Sequence, residues 1–527
     1  MFKNLIIKRL FIKLKIKNFK LMLIRIPSVL YSGLEALPVD VEVNVASRGL
    51  PGFEIVGLPG KAVAESRERV KAAIVNSGMD FPSKKITVNL APADIPKEGS
   101  FYDLPIAIGI LSSIMDFTIP EKSLFFGELS FDGTLRHTKG AFLLALFAKE
   151  FGYKNIFLPK DSANESTVFS SINVYPVERL SQLLAHFFER QKIVKAERKK
   201  LDDVNFNTGE FDMREVLGQE QAKRAMEIAA TGGHNIIMVG SPGSGKTMLA
   251  RALPGILPLL SEKESLETTK IYSASGNIPP GASMIKVRSF RSPHHSTSLA
   301  GLVGGGTNPQ PGEISLAHRG VLFLDEFNEF PRSVLESLRQ PLEDGVVTIS
   351  RAKTRTEYPA RFILVASANP CPCGYLNHPK RECVCSPREI KRYMKKISGP
   401  ILDRIDLHIN VPVVNVDELA QDKRVEKFLE SSKSIRERVC IAREIQQKRF
   451  KKRGIYSNAE MSNKDIKKYC VLIPEVEKVL NQAAIAFQLS ARSYFKMIKI
   501  ARTIADLQGV EEIDGSHMAE ALQYRQG

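Results

Sequence analysis

Short apolar runs alternate with amphipathic stretches along most of this chain, which is a pattern typical of proteins that mix strands and helices. In the first part of the chain, apolar runs predict strands at residues 41–45, 85–89 and 155–158. Helical spacing of apolar residues predicts helices at residues 62–75 and 105–114. We therefore expect the chain to begin with a domain that combines both kinds of element.

A second set of buried strands follows residue 211, and helical stretches separate its members. Apolar runs at 234–239, 321–324 and 362–369 each lead into polar or charged residues. Strands separated by helices in this way indicate a doubly wound parallel sheet. From about residue 415 the chain is charged and helical in pattern, so we expect a small all-α domain. The predicted fold class is α/β.

These changes of pattern predict five segments. They are a basic extension at 1–21, an N-terminal domain at 22–188, a charged linker at 189–210, a nucleotide-binding domain at 211–414 and a helical domain at 415–527. The first segment carries seven basic side chains and no acidic one, which leaves +10 of the formal net charge of +17 for the rest. A coherent sequence begins at Met22, so we expect a misassigned start, although a strand or a membrane-surface helix also fits the extension.

Composition indicates a globular protein, with 43% hydrophobic and 25% charged residues. The sequence contains no apolar run of the roughly 18 residues that a membrane-spanning helix needs, and the extension lacks the apolar core of a signal peptide. Six cysteines in 527 residues do not form a disulfide framework. We therefore expect a cytoplasmic protein without a membrane segment, and the basic excess favours a nucleic-acid partner.

One segment fits the phosphate-binding pattern G-x-x-x-x-G-K-[ST] at every specified position. Its residues are Gly240, Ser241, Pro242, Gly243, Ser244, Gly245, Lys246 and Thr247. Because a strand is predicted before this loop and a helix after it, backbone N–H groups would point into the loop and hold phosphate oxygens. Lys246 would reach the β- and γ-phosphates of ATP, and the Thr247 hydroxyl would ligate Mg²⁺.

The apolar run at 321–324 ends in two acidic residues, Asp325 and Glu326. In phosphate-loop enzymes a carboxylate at the end of a neighbouring strand contacts the bound Mg²⁺, so Asp325 is the second predicted metal contact. Glu326 is one residue further on and can polarise the attacking water. The loop and the acidic pair together predict an ATPase that uses ATP and Mg²⁺.

Four cysteines fall within fifteen residues of one another. They are Cys371, Cys373, Cys383 and Cys385. Four thiolates so close together in a cytoplasmic protein predict a structural Zn²⁺ site. The C-x-C spacing is less typical than C-x₂-C and needs a bent backbone, which Pro372 and Gly374 would permit. Reduced thiols that pack a loop are the alternative.

Several longer motifs resemble those of one protein family. They are Gly33-Leu34-Glu35, Val56-Gly57-Leu58-Pro59-Gly60, Glu65-Ser66-Arg67-Glu68-Arg69-Val70 and Val88-Asn89-Leu90-Ala91-Pro92-Ala93-Asp94. The chain resembles the ComM/YifB family of magnesium-chelatase-like AAA+ ATPases from Met22 almost to its C-terminus. The resemblance implies a Lon-protease-like α+β domain at the N-terminus, an AAA+ ATPase domain with a doubly wound parallel sheet, and a C-terminal all-α lid domain.

Lon-type proteolysis needs a serine nucleophile and a lysine base. The position that aligns with the serine holds Asp103 or Leu104, and the position of the lysine falls at 141–142, which is Ala-Phe. Ser100 and Lys139 lie nearby in the sequence. We therefore expect an N-terminal domain used for interaction or oligomerisation rather than for proteolysis.

The resemblance also assigns three further ATPase residues. Asn369 would be sensor 1, which orients the attacking water, and Arg492 would be sensor 2 in the lid. Arg404 would be an arginine finger inserted into the neighbouring subunit's site, an effect worth about 10³–10⁵ in rate. A finger acting in trans requires a ring, and a hexamer is expected. The alternatives are a turn-forming Asn, a salt bridge from Arg404 to Asp403 or Asp406, and a solvated Arg492.

Two insertions resemble those of the chelatase/MCM branch of AAA+ proteins. The first carries His294 and His295, to which we assign a structural or loop role because adjacent side chains on a strand point to opposite faces. The second, at residues 346–361, resembles the hairpin that enters the central pore. Lys353 and Arg355 at its tip would contact DNA phosphates, and a solvated charged loop is the alternative.

The leading functional hypothesis is a hexameric ATP-driven DNA motor. The resemblance implies a branch-migration helicase that promotes integration of transforming DNA, with single-stranded or branched DNA and recombination proteins as partners. The alternatives are a chelatase-type ATPase that remodels a protein partner during metal insertion, and an ATP-dependent Lon-like protease. DNA-stimulated ATP hydrolysis would distinguish the first hypothesis from the other two.

Overall fold

The structure is a computed structural model that describes residues 23–46, 49–197, 210–306, 309–350, 355–413, 429–451 and 453–525. Two compact units are present. One comprises residues 1–200 and 279–283, and the other comprises residues 201–278 and 284–527. The predicted extension at 1–21, much of the predicted linker and Lys353 lie outside the described residues.

The first unit contains a four-stranded sheet. Its strands are β1 (Leu23–Ser32), β2 (Glu35–Val45), β3 (Gly52–Val56) and β4 (Lys85–Ala91). The order is β1-β2-β4-β3, in which β2 pairs antiparallel with β1 and β4, and β3 pairs parallel with β4. Every second residue from Val39 to Val45 is buried, so one face of β2 carries the core. Helix Asp103–Ile114 packs on this face, where a Cβ on Gly109 would lie 2.5 Å from Cγ2 of Val43.

Five further strands and six helices complete the first unit. The strands are β5 (Ser123–Phe125), β6 (Glu128–Leu129), β7 (Leu135–Arg136), β8 (Asn155–Pro159) and β9 (Asn173–Val177). The helices are Lys61–Ala64, Ser66–Asn76, Asp103–Ile114, Ala141–Phe151, Lys160–Ser166 and Leu180–Phe187. Strands β5, β8 and β9 form a parallel sheet, and β6 pairs antiparallel with β7. The three strands predicted in this region are confirmed, because they fall within β2, β4 and β8.

The helix predicted at residues 62–75 is present at every position except Glu65, where the chain interrupts it. The carbonyl of Ala62 accepts a hydrogen bond from Nη2 of Arg69 at 2.8 Å and one from the Ser66 hydroxyl at 3.4 Å. Nε of Arg69 also donates to the buried carboxylate of Asp103 at 2.7 Å. Side chains thus occupy a carbonyl at the break, and a new helix begins at Ser66.

The positions considered for a proteolytic dyad have other partners. Asp103 is fully buried and paired with Arg69, and Leu104 is also buried. The Ser100 hydroxyl donates to the carboxylate of Glu128, and Lys139 is exposed. The serine is therefore engaged by an acid rather than by a lysine base.

The second unit is built around a five-stranded parallel sheet. The strands of the unit are β10 (Ile236–Val239), β11 (Phe290–Arg291), β12 (Gly304–Gly305), β13 (Gln310–Pro311), β14 (Val321–Leu324), β15 (Val346–Ser350), β16 (Arg355–Pro359), β17 (Ile363–Ala368) and β18 (Leu407–Asn410). The sheet has the order β11-β14-β17-β10-β18, and all its neighbouring pairs are parallel. Strands β14 and β17 are buried along their whole length, as expected when both faces of a parallel sheet are covered. The predicted parallel sheet is confirmed.

Helices surround this sheet and form the C-terminal part of the chain. They are Glu220–Gly232, Lys246–Ile256, Glu262–Ser275, Leu299–Val303, Glu313–Leu316, Arg332–Ser337, Arg339–Asp344, Pro387–Met394, Gly399–Leu402, Ser432–Phe450, Asn463–Tyr469, Pro474–Ala486, Ala491–Leu507 and Gly515–Gln523, with 3₁₀ turns at Met213–Glu215, Phe327–Glu329 and Asn458–Glu460. Several begin with a capping box in which an N-cap side chain and the third helical side chain satisfy each other's backbone N–H groups, as at Ser261, Ser386, Ser462 and Asp514.

The C-terminal helices share a hydrophobic core with the sheet. Ile500 and Ile504 belong to the same buried cluster as Ile236 and Val365. The helical pattern expected for this region is present, whereas the expected domain boundary at 414–415 lies outside the described residues. None of the helices within the described ranges combines the length and the apolar character that crossing a membrane requires.

Candidate nucleotide-binding site

The phosphate loop, residues 240–247, joins the carboxyl end of β10 to the helix that begins at Lys246. Gly243 and Gly245 have φ angles of +78° and +88°, at which a side chain would be strained. Gly240 has no room for a side chain, because a Cβ there would lie 2.3 Å from the carbonyl oxygen of Val411. The backbone conformation therefore requires glycine at these three positions. The loop ends at the first turn of a helix, whose backbone N–H groups are free to bind an anion.

Lys246 lies folded against this loop with only 8% of its surface exposed. Its Nζ donates to the carbonyl oxygens of Gly240 at 2.7 Å and Ser241 at 2.9 Å. Burial lowers the pKa of the amine, and the charge of Asp325 opposes this shift. The ammonium group thus lies among acceptor oxygens, where the oxygens of a bound phosphate would compete for it.

Asp325 lies at the carboxyl end of β14, within hydrogen-bond distance of the phosphate loop. Thr247 Oγ1 donates to Oδ2 of Asp325 at 3.2 Å. The hydroxyl of Ser367 on β17 donates to Oδ1, which also accepts from the amide of Glu326 at 3.1 Å. A hydroxyl and a carboxylate side by side are the oxygen ligands that Mg²⁺ prefers. The structure thus brings together the two residues predicted to contact the metal.

Glu326 has a left-handed backbone conformation, with a φ of +51° that is uncommon for a residue with a side chain. Its Oε2 lies 3.4 Å from Nδ1 of His295. The ring of His295 lies tilted by 35° against that of His294, at a centroid distance of 4.0 Å. Both histidines lie in a loop after β11, in keeping with the loop role expected for them, but their rings lie together and not on opposite faces as a strand would place them.

Asn369 directly follows β17, at the same edge of the sheet as the phosphate loop. Strands β10 and β17 run parallel with Val239 opposite Ala368, so the residues that follow each strand are neighbours. This carboxyl edge carries most of the residues predicted for ATP chemistry. They are Lys246, Thr247, Asp325, Glu326 and Asn369.

The four cysteines form a cluster a few residues after β17. The Sγ atom of Cys371 lies 3.4 Å from that of Cys373 and 3.6 Å from that of Cys383, and all four Sγ atoms lie within 4.8 Å of one another. The amide of Tyr375 lowers the pKa of Cys373 to about 6, which favours its thiolate. Zn–S bonds of about 2.3 Å in a tetrahedron separate the sulfur atoms by about 3.8 Å. The spacing of these four donors therefore fits a tetrahedral zinc site.

The cysteine turn packs directly against the phosphate loop. Gly374 has a φ of +81°, and this left-handed residue supplies the bend that C-x-C ligation requires. A Cβ at Gly374 would lie 2.7 Å from Cδ of Pro242 and 4.0 Å from Cγ of Asn369. The positions of the phosphate loop and of Asn369 therefore depend on the shape of the cysteine turn.

Arg404 and Arg492 lie away from the phosphate loop. Arg404 shortly precedes the amino end of β18, and Arg492 lies in the first turn of helix Ala491–Leu507. Both guanidinium groups bind the carboxylate of Glu343: Nη2 of Arg492 lies 2.6 Å from Oε1, and Nη2 of Arg404 donates to Oε2. The three side chains line a cavity of about 640 Å³ together with Asn235 and Arg361. Those two residues precede β10 and β17, so this cluster lies at the amino edge of the sheet.

The salt bridges considered for Arg404 need correction. Its carboxylate partner is Glu343, which is 61 residues away in sequence, and not Asp403 or Asp406. Asp406 instead lies 3.1 Å from Nδ1 of His234. Burial alone would raise the pKa of Asp406, but the His234 contact and nearby lysine charges hold it well below its usual range.

The expected hairpin is formed by β15 and β16. These strands pair antiparallel from Val346 opposite Pro359 to Ser350 opposite Arg355. The side chain of Arg355 is 71% exposed, and its Nη2 lies 2.9 Å from Oε1 of Glu357. The other predicted DNA contact, Lys353, lies outside the described residues.

Three side-chain contacts at the predicted site residues were not expected from the sequence. They are made by Ser367, His295 and Glu343. Ser367 carries a signal, because it is a hydroxyl residue within the otherwise apolar strand β17. His295 was noticed but not connected to Glu326. Glu343 carries no local signal, since its two arginine partners are 61 and 149 residues away.

Comparison with protein-family models matches three parts of the chain. Residues 212–419 match the model "Magnesium chelatase, subunit ChlI", residues 41–162 match "Subunit ChlI of Mg-chelatase", and residues 429–525 match "Magnesium chelatase, subunit ChlI C-terminal". The Magnesium-chelatase 38 kDa subunit of Cereibacter sphaeroides is 28% identical over 30% of this chain and 53% of its own length.

Two bacterial proteins are similar over nearly the whole chain. Competence protein ComM of Haemophilus influenzae is 44% identical, and the protein YifB of Salmonella typhimurium is 43% identical. Each similarity covers 94% of this chain and 95% of the relative. The chain belongs to the ComM/YifB family of magnesium-chelatase-like AAA+ proteins.

Proposed function

We propose that this chain is an ATP-hydrolysing motor that assembles into a hexamer and migrates branched DNA. The observation that carries the proposal is the contact between Thr247 and Asp325, which pairs the two predicted metal contacts beside the phosphate loop. AAA+ proteins of the magnesium-chelatase family are ATPases, and the oxygen donors at this edge suit an Mg²⁺–ATP substrate. Binding outside the carboxyl ends of the strands is also the general rule for open α/β sheets.

At this edge the chain's own residues divide the work of hydrolysis. The loop amides and Lys246 would hold the phosphates, and Thr247 and Asp325 would hold a Mg²⁺ ion, which would supply positive charge beside them. Glu326 takes the proton of the attacking water, and Asn369 orients that water toward the γ-phosphate. Ser367 directs Asp325 toward Thr247 by donating to its other oxygen.

The place of the two arginines supports a ring. A strand of four residues is about 13 Å long, and Arg404 lies at the end of the sheet opposite to the phosphate loop. Its guanidinium cannot serve the nucleotide bound by its own loop from there. We propose that Arg404 and Arg492 act on the nucleotide of a neighbouring subunit, as an arginine finger and as sensor 2.

The hairpin and the charge of the chain support DNA as the partner. Arg355 projects from the hairpin with most of its side chain in solvent, and such a cation binds phosphates regardless of sequence. The net charge of +10 that remains without residues 1–21 has the sign that a polyanion requires. The name of the Haemophilus influenzae relative, competence protein, supports a role in the integration of transforming DNA with recombination proteins.

The N-terminal unit and the cysteine cluster complete the proposal. We assign residues 22–188 a Lon-like fold with an interaction role, because Ser100 binds Glu128 instead of a lysine. We assign residues 415–527 the role of a lid, and the cysteine cluster the role of a structural zinc site that shapes the turn beside the phosphate loop. The working compartment proposed for this set of functions is the cytoplasm.

The test is the steady-state ATPase rate of the Met22-initiated protein, alone and with single-stranded, duplex and four-way-junction DNA. We expect strong stimulation by branched or single-stranded DNA that weakens as salt rises, because phosphate contacts release counterions. A Lys246→Ala protein is the control for contaminating ATPases. A rate that no DNA changes would contradict the DNA motor and favour a chelatase-type ATPase acting on a protein partner.

A further inference from the structure

Two arginines that are proposed to act on a neighbour's nucleotide are bound by one carboxylate of their own chain. Arg492 donates to Oε1 of Glu343 and Arg404 donates to Oε2. The hydrogen bond from Arg404 and the charge of both arginines lower the pKa of Glu343, so the carboxyl group is ionised at neutral pH. Its single negative charge is shared by two positive ones, which leaves the group of three with a net positive charge.

The three side chains differ in how firmly they are held. Arg404 is 14% exposed, and its Nη1 also donates to the carbonyl oxygen of Pro400 at 2.6 Å. Arg492 is 38% exposed and Glu343 is 46% exposed. The carboxylate therefore faces solvent while it binds both guanidinium groups, and an incoming anion from another subunit can approach the arginines without unfolding the site.

Glu343 is also close in sequence to the hairpin. Helix Arg339–Asp344 ends at Gly345, which has a φ of +69°, and β15 begins at the next residue. The carbonyl of Gly345 accepts from the amide of Ala360 at 2.8 Å, which closes the base of the hairpin. A Cβ on Gly345 would lie 2.6 Å from Cγ of Arg361, so this base has little room to shift without moving its neighbours. A displacement of the hairpin base therefore moves the helix end that carries Glu343.

We propose that Glu343 is a positioning residue that presents Arg404 and Arg492 together to the nucleotide of the adjacent subunit and ties their position to the DNA-binding hairpin. This inference rests on the proposed action of the two arginines in trans. Glu343 touches neither the nucleotide nor the attacking water. Its contribution is to fix the distance between two guanidinium groups, whose misplacement by about 1 Å can cost about 10²-fold in rate.

The experiment mixes two subunits that are each inactive in uniform rings. Lys246→Ala subunits supply intact arginines but bind and hydrolyse ATP poorly, and Arg404→Ala subunits bind ATP but supply no finger. Rings that contain both have interfaces at which a functional loop meets an intact finger, so mixing restores activity when the finger acts in trans. Glu343→Gln is then added to one partner at a time, and ATPase rates are measured with and without four-way-junction DNA.

We expect Glu343→Gln to lower the restored rate by about 10- to 100-fold when it is on the Lys246→Ala subunit, which supplies the arginines. The rate should fall far less when the same change is on the Arg404→Ala subunit. The stimulation ratio with DNA should fall toward one in the first arrangement, since the hairpin has lost its link to the arginines. Glu343→Asp, which keeps the charge, should recover part of both effects.

The matched control is Asp344→Asn, which removes the same charge from the next residue of the same helix. It should behave as the parent mixture in both arrangements, and the mass of the rings should be equal in every sample. Equal losses for Glu343→Gln on either partner, or an unchanged DNA ratio, would overturn the positioning role while leaving the finger intact. Failure of the parent mixture to regain activity would instead contradict the action of the arginines in trans, and the inference with it.

Discussion

The two edges of the parallel sheet in the second unit differ in how their residues are assembled. At the carboxyl edge, Lys246 and Thr247 come from one contiguous loop, and Asp325 comes from the end of a strand two places away. At the amino edge, Glu343 is joined to arginines 61 and 149 residues away. The carboxyl edge places the phosphate loop beside the carboxylate of Asp325, whereas the amino edge joins two arginines to one carboxylate.

This difference teaches that half of the proposed catalytic machinery faces away from the site that it serves. In the proposed mechanism the carboxyl edge supplies phosphate binding, metal binding and a base. The amino edge would supply charge for the transition state to a second copy of the chain. Each of the following predictions tests one side of this division.

Loss of the finger is expected to have the largest effect. Arg404→Ala should lower the ATPase rate of uniform rings by about 10³–10⁵-fold, because charge on the transferred phosphoryl group is no longer neutralised. ATP binding should persist, since the phosphate loop is unchanged. The measurement is single-turnover hydrolysis together with binding of a fluorescent ATP analogue. Hydrolysis of ATP by this variant at the parental rate would contradict the role of Arg404 as an arginine finger.

Loss of the phosphate-loop lysine should have the next largest effect, and unlike loss of Arg404 it should also weaken ATP binding. Lys246→Ala should lower the rate on the order of 10³-fold and weaken binding of the same analogue, because a cation at the phosphates is lost in the ground state as well. Lys263→Ala, an exposed lysine on helix Glu262–Ser275, is the matched control. Retained tight binding in Lys246→Ala would break the assignment of binding to the carboxyl edge.

Loss of the proposed base, Glu326, should impair hydrolysis of ATP without impairing its binding. Glu326→Gln should bind ATP normally and hydrolyse it about 10²–10⁴-fold more slowly, since the amide cannot take the proton of the attacking water. Rapid quench measurements on a single turnover report this step directly. Fast hydrolysis by the variant would show that another group serves as base.

Replacement of the clustered cysteines tests whether a zinc site stabilises the phosphate loop at the carboxyl edge. Metal analysis of the purified protein should find about one zinc per chain, and replacement of Cys371 and Cys383 by Ser should abolish it. The variant should also bind ATP more weakly, because Gly374 packs against Pro242. Cys440→Ser, which changes a cysteine outside the cluster, should alter neither quantity. A metal-free parent protein would favour reduced thiols that pack the loop.

The hairpin arginine is expected to give the smallest effect. Arg355→Ala should weaken DNA binding a few-fold for every sequence and reduce the slope of log affinity against log salt by about one. Arg388→Ala, an exposed arginine on helix Pro387–Met394, removes the same charge elsewhere. Equal slopes for the parent and Arg355→Ala would contradict a phosphate contact at the hairpin.

The sequence was sufficient to predict those features that depend on residues adjacent in the chain. The phosphate loop could be predicted because its glycines answer a local backbone constraint, and β14 could be predicted because a buried parallel strand is apolar throughout. The interruption at Glu65 could not, since the Arg69 side chain that binds the carbonyl of Ala62 there is also bound by Asp103, which lies 34 residues from Arg69. Local spacing carries no information about such partners.

The amino edge shows the same limit more clearly. Arg404 was singled out from a motif, but its partner was sought among adjacent acids and found at Glu343 instead. His295 was expected to have a structural or loop role, and it lies in a loop four residues after β11 ends, where its ring reaches Glu326. In both cases the residue type indicated an interaction, but the partner of the residue is distant in sequence and could be identified only from the structure.

The hydrophobic core shared by the sheet and the C-terminal helices determines how this unit loses its structure. Ile500 and Ile504 are buried in the same cluster as Ile236 and Val365, so neither part keeps a complete core without the other. Heat or denaturant should therefore melt both in a single cooperative transition. A chain cut at residue 428 would expose the apolar face that these helices cover, and it would aggregate rather than survive as an enzyme without a lid.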